Sequence, residues 1–203
     1  MSFNVRISVI ACLACWLASS ALAQTPASTR IRGTIAALDG QTMTVTTREG
    51  ADLPIALTEP VIVTALKAVE FAAIQPGAYV GVTAEPGADG KLQAIAVYIF
   101  PEERRGVGEG HREWDFKPGS TMTNANVTAA VQGIAGRDID LGYKDGSKNV
   151  HVPAGVPVVT SIPAEKVDLK PGATVFLTAT RTEGGGLGTS RVVVEKDGVA
   201  PRM

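Results

Sequence analysis

Residues 76–99 read PGAYVGVTAEPGADGKLQAIAVYI, and residues 171–194 read PGATVFLTATRTEGGGLGTSRVVV. Laid over one another without a gap, the two stretches agree at nine of 24 positions. Pro76-Gly77-Ala78 meets Pro171-Gly172-Ala173, Val80 meets Val175, and Thr83-Ala84 meets Thr178-Ala179. Gly90, Leu92 and Val97 meet Gly185, Leu187 and Val192. Each stretch starts at a Pro-Gly turn, runs extended, breaks at a loop rich in turn residues, and ends in a strand rich in Val and Ile. That is the pattern of a β-hairpin. A self-match at fixed spacing marks an internal repeat.

The match extends upstream. At an offset of 96, residues 31–50 fall on 127–146, with Ile31, Ile35, Leu38, Met43 and Val45 over Val127, Val131, Ile134, Ile139 and Leu141. Asp39-Gly40 signals a hairpin turn, and Met43-Thr44-Val45-Thr46 alternates as a second strand. A third extended stretch runs over 53–58 and resumes at 61–63. Residues 66–73, and their partners 162–169, read as a short helix or helical turn, with Pro163 tolerable only in a first turn. Three strands, a short helix and two strands is the order of an OB-type barrel. Closure also spares half-polar strands an exposed edge; the alternative is a small open antiparallel sheet or sandwich. The expected fold is all-β: two tandem, small, OB-like five-stranded barrels, each with a short helix or helical turn between strands 3 and 4. They occupy residues 30–100 and 127–198, with a charged linker at 101–126.

Recurring features carry a resemblance. Gly33-Thr34-Ile35, Gly40 before Met43-Thr44-Val45, Pro76-Gly77, and Ala96-Val97-Tyr98-Ile99 resemble an uncharacterised family of exported bacterial OB-like β-barrel domains. Similar sequences are sometimes labelled metal-transport permeases. The resemblance implies a fold and carries no chemistry.

The first 23 residues read as a signal peptide: Arg6, the apolar run Ile7 to Leu17, then Ala21-Leu22-Ala23 before Gln24. That run is too short to span a bilayer, which takes roughly 20 residues. Cleavage near Ala23 implies a periplasmic or secreted product with no membrane span in the mature chain. Both cysteines, Cys12 and Cys15, lie in the leader. The mature chain therefore has no thiol chemistry, Cys-ligated zinc or disulfide. With 19 Lys+Arg, one of them Arg6, against 20 Asp+Glu, no basic field suits nucleic acid.

The linker differs from both repeats. It gathers Arg104, Arg105, His111, Arg112, Trp114 and Asp115 within a dozen residues. Spacers are ordinarily Gly, Ser and Pro, so a Trp among charges suggests a docking segment. These six are the candidate ligand- or partner-binding residues. One alternative is that Trp114 and Phe116 pin the linker between the barrels. Catalytic patterns are absent: neither Ser120 nor Ser161 sits in a nucleophile elbow. Gly184-Gly185-Gly186-Leu187-Gly188 precedes a strand instead of a helix, so it is a hairpin loop and not a phosphate cradle. The favoured reading is a non-enzymatic periplasmic binding or scaffolding module, without cofactor. Its partner is an envelope protein, peptide or glycan. The alternative is an accessory in metal transport or metal homeostasis using His111, Asp115 and His151, the first and last being the chain's two histidines.

Overall fold

In the computed structural model, residues 28–88, 90–133 and 136–203 are described; the expected signal peptide lies outside them. The protein is all-β. Its strands are β1 (Ser28–Asp39), β2 (Thr42–Thr47), β3 (Asp52–Val69), β4 (Tyr79–Pro86), β5 (Leu92–Ile99), β6 (Gly110–Glu113), β7 (Thr121–Gly133), β8 (Gly136–Tyr143), β9 (Gly146–His151), β10 (Val158–Pro163), β11 (Thr174–Arg181) and β12 (Leu187–Val194). Among the described residues no helix is long and apolar enough to cross a membrane.

Five strands close into a barrel, in the cyclic order β1, β2, β3, β12, β11. Ile31, Ile35, Met43, Val45, Ile55 and Leu57 from the first three strands point inward. They meet Val175, Leu177, Val192 and Val194 from the last two. The alternation of a strand puts every second residue inside, and fully burying each Val, Leu or Ile stabilises by about 1.5–3 kcal/mol. The extra strands run side by side as β5, β4, β7, β8, β9. Their outer members meet over a short parallel pairing, Leu92 with Val150 and Gln93 with His151. Val80, Val82, Val97, Val127, Ile139, Leu141 and Val150 form their core.

The expected units at 30–100 and 127–198 do not describe this pairing. The closed barrel takes three strands from the first stretch and two from the second; β4 and β5 pair with strands of the second stretch instead. The physical reason is that β4–β5 and β11–β12 carry the same apolar phase, so either hairpin presents an equivalent inward face. The short helix or helical turn expected over 66–73 is confined to fewer residues. Strand β3 runs to Val69 because residues 64–69 form a ladder with β10, leaving one 3-10 turn at Phe71–Ala73. Its counterpart is strand through Pro163, then a 3-10 turn at Lys166–Asp168. The charged linker is partly strand: β6 pairs β7, which starts at Thr121.

Registers in the two halves correspond in detail. The β1–β2 ladder shifts between Ile35 and Ala37, and the β7–β8 ladder shifts between Val127 and Ala129. The β4–β5 shift lies between Thr83 and Ala84; that of β11–β12 lies between Leu177 and Thr180. By register Ile35 is level with Val127, four residues earlier than the ungapped match puts it. The second hairpin is longer, and a four-residue slip leaves the inward phase unchanged.

Strands β12, β3, β10 and β5 make one continuous sheet joining the two sets. One face feeds both cores. On the other, Leu66, Tyr98 and Val159 form a separate buried cluster with Phe100, Val193 and Met203 against it.

Candidate functional site

That second face floors a groove of about 800 Å³, within the range of small-molecule sites, about 300–1,000 Å³. Its floor includes Leu66, Tyr98, Phe100, Ser161 and Val193, while Arg104, Val107, Arg112 and Trp114 come from the segment over 101–120. Side-chain alternation on the β6–β7 hairpin decides what faces in. Arg112 opposes Met122, and both line the groove with Asn124. His111 opposes Thr123 and turns the other way, its Nδ1 2.8 Å from the Thr123 hydroxyl.

The segment over 101–120 is strapped to the sheet at several points. Arg105 donates to Glu102 at 2.6 Å, to Asn126 Oδ1 at 2.5 Å and to the Gly77 carbonyl at 3.0 Å. The Val107 carbonyl accepts from Asn124 Nδ2 at 2.9 Å and from the Tyr79 hydroxyl at 3.2 Å. Lys117 pairs with Glu85. Ser120, 2% exposed, has its Oγ 2.7 Å from the Trp114 carbonyl and accepts from the Lys117 N–H at 3.1 Å. Ser120 is thus a clasp for the Trp114 loop.

Trp114 is half-buried within a cluster of guanidiniums. Arg30 stacks 4.2 Å from its ring centre, Arg112 5.4 Å and Arg32 5.7 Å. Asp115 accepts from Arg30 at 2.9 Å and from Arg32 at 2.8 Å. Burial pushes the Asp115 carboxyl up, but the hydrogen bonds from Arg32 and Arg30 outweigh it and hold the group below its ordinary range. Burial, and after it the nearby Arg30, pulls the Arg112 guanidinium down. Two buried polar atoms in this region have no hydrogen-bond partner, Trp114 Nε1 and Asn124 Oδ1. Gly81 keeps the approach to Asn124 open, since a Cβ there would sit 2.9 Å from Oδ1 and 3.0 Å from the Phe100 ring.

Of the six residues singled out from sequence, Arg104, Arg112 and Trp114 line the groove. Asp115 orients two arginines beside it, Arg105 anchors the strap, and His111 faces Thr123. His151 Nδ1 lies 3.1 Å from Asp138. His111, Asp115 and His151 thus each engage a different partner. Among the described residues no three His, Cys, Asp or Glu side chains gather in a metal-binding group. Arg30, Arg191, Asn124 and Phe176 also line the groove and were missed from sequence. The usable signal was the unbroken apolar runs at 97–100 and 192–194, since strands apolar on both phases are covered on both faces.

His111 makes a pH prediction. Burial first, then Lys148 and Arg112, lowers its pKa. The unfolded chain then binds the proton more readily. Its contribution to stability is therefore complete above the ordinary imidazole range, near about 6.5, and is lost as pH falls below it. The Tm is expected to drop between pH 7.5 and 5, and His111→Gln is expected to flatten that drop in thermal melts. An unaltered slope in the variant would assign the effect elsewhere.

The chain matches no family model, no curated protein and no solved structure.

Proposed function

We propose that this protein is a non-enzymatic, exported binding module. In this reading it arose by duplication of one OB-like domain and is built as two interlocked five-stranded barrels, with the ligand held in the groove between them. The matching register shifts in both halves support the duplication. They also support reading β5, β4, β7, β8 and β9 as the second barrel. The observation that carries the binding role is the pair of unpartnered buried atoms, Trp114 Nε1 and Asn124 Oδ1, beside an apolar groove. Buried polar groups are nearly always hydrogen-bonded, and each left unpaired costs about 1–3 kcal/mol. A bound molecule offering an acceptor to the indole and a donor to the amide oxygen removes that cost.

Nile red, an uncharged apolar dye, tests the site. It is expected to bind one per chain, and Ser161→Trp is expected to fill the groove and abolish binding while the Tm is kept. Equal binding by the variant, or none by the parent, would refute the groove as a ligand site.

A further inference from the structure

The charge around the groove is sharply uneven. Four arginine side chains line it, Arg30, Arg104, Arg112 and Arg191, against one acidic side chain, Glu103, with Asp115 beside Arg30, in a chain whose net charge is −1. Among the described residues no carboxylate pairs with Arg104, Arg112 or Arg191. The interior of the groove is apolar. Ile62 and Val107, two of the three large hydrophobic side chains that stand exposed among the described residues, both lie in it at 44% exposure. An apolar trough edged by Arg30, which Asp115 holds, and by three guanidiniums that no carboxylate pairs complements a molecule with a hydrocarbon body and a negative head. Guanidinium forks bind carboxylates in bidentate fashion. Leu66, Tyr98, Phe100, Met122, Phe176 and Val193 offer the body an apolar surface, and the floor strands β12, β3, β10 and β5 are paired with one another in ladders. A peptide strand would need free main-chain groups along its length, and those of the floor strands are engaged in their own ladders.

We propose that the groove binds a single-chain anionic amphiphile, a free long-chain carboxylate, with its head among Arg30, Arg112 and Arg191 and its chain over Leu66, Tyr98 and Phe100. This rests on the groove being a ligand site and adds the chemistry of the ligand. Arg30 and Arg112 both stack on Trp114, and an anion placed there offsets the crowding of their like charges. The Trp114 N–H, lacking an acceptor, points to the same kind of head group.

Isothermal titration with decanoate and with decan-1-ol, below their aggregation limits, separates charge from chain. Decanoate is expected to bind at least about tenfold more tightly than the alcohol, as a hydrogen-bonded charge is worth about 1.5–3 kcal/mol. Arg112→Gln and Arg191→Gln are each expected to weaken decanoate severalfold and leave the alcohol unchanged. Added salt is expected to narrow the gap between acid and alcohol. Equal affinity for acid and alcohol would overturn the proposal while leaving a groove that takes up Nile red intact. Binding to phosphatidylglycerol vesicles with none to monomeric decanoate would also overturn it, in favour of a membrane surface. Failure of both decanoate and Nile red would remove the groove as a site altogether.

Discussion

Cut between Pro118 and Gly119 after folding, the protein is expected to remain a one-to-one complex of its two fragments. Lys117, Pro118 and Gly119 are exposed, so a protease site placed there is reachable. Independent tandem domains would drift apart once the connection was severed. Here β1 pairs β11 over seven residue pairs, and β3 pairs β12 over seven and β10 over six. Strand β4 pairs β7 over six more. Every one of those ladders crosses the cut. Size-exclusion chromatography of the nicked protein is expected to give one peak at the parent volume, with separation only in denaturant. Two peaks under native conditions would mean that the ladders crossing the cut do not hold the fragments together.

Gly33→Ala is expected to be the most damaging single methyl in the molecule. A Cβ at Gly33 would lie 2.2 Å from the Thr46 carbonyl oxygen and 2.7 Å from Val45 Cγ1. The first obstacle is backbone, and β1 cannot retreat from it. Gly33 is paired on both sides at once, with Val175 of β11 and Thr47 of β2. Overpacking a core costs about 1–3 kcal/mol, and occasionally more. A clash with fixed backbone belongs at or above about 3 kcal/mol, a fall in Tm of roughly 6–12 °C for a chain of this size. Gly142→Ala is the control. Its nearest obstacle is the Thr128 side-chain methyl at 3.0 Å, which can yield, so the expected loss is below about 1 kcal/mol. Chemical denaturation of the two variants checks the ranking, and equal stability of both would refute it.

Sequence shows the strands and conceals their partners, for one reason. The alternation at Met43-Val45, the turn at Pro76-Gly77 and the agreement between 76–99 and 171–194 are local properties, and all sit on strands or turns. Which hairpin completes the closed barrel is a non-local choice between two candidates, β4–β5 and β11–β12. The similarity of the two stretches is what hides which of them the barrel takes. Residues 66–73 read as a short helix or helical turn, with Leu66, Val69 and Phe71 among Ala and charges, yet the ladder with β10 outweighs so short a preference over 66–69. Half of the groove was legible, because the composition of 101–126 marked Trp114 and Arg112 as out of place. The rest was not, since Arg30 and Arg191 lie on strand phases that look solvent-facing until a second element covers that face.

The closed barrel joins the first three strands to the last two. In synthesis, the earliest residues to appear wait for the latest before their hydrogen-bonded ring can shut. Contacts of such long sequence separation make folding slow. The chain thus has a built-in delay: the sheet of the first three strands has two open edges until the last hairpin has arrived to join them.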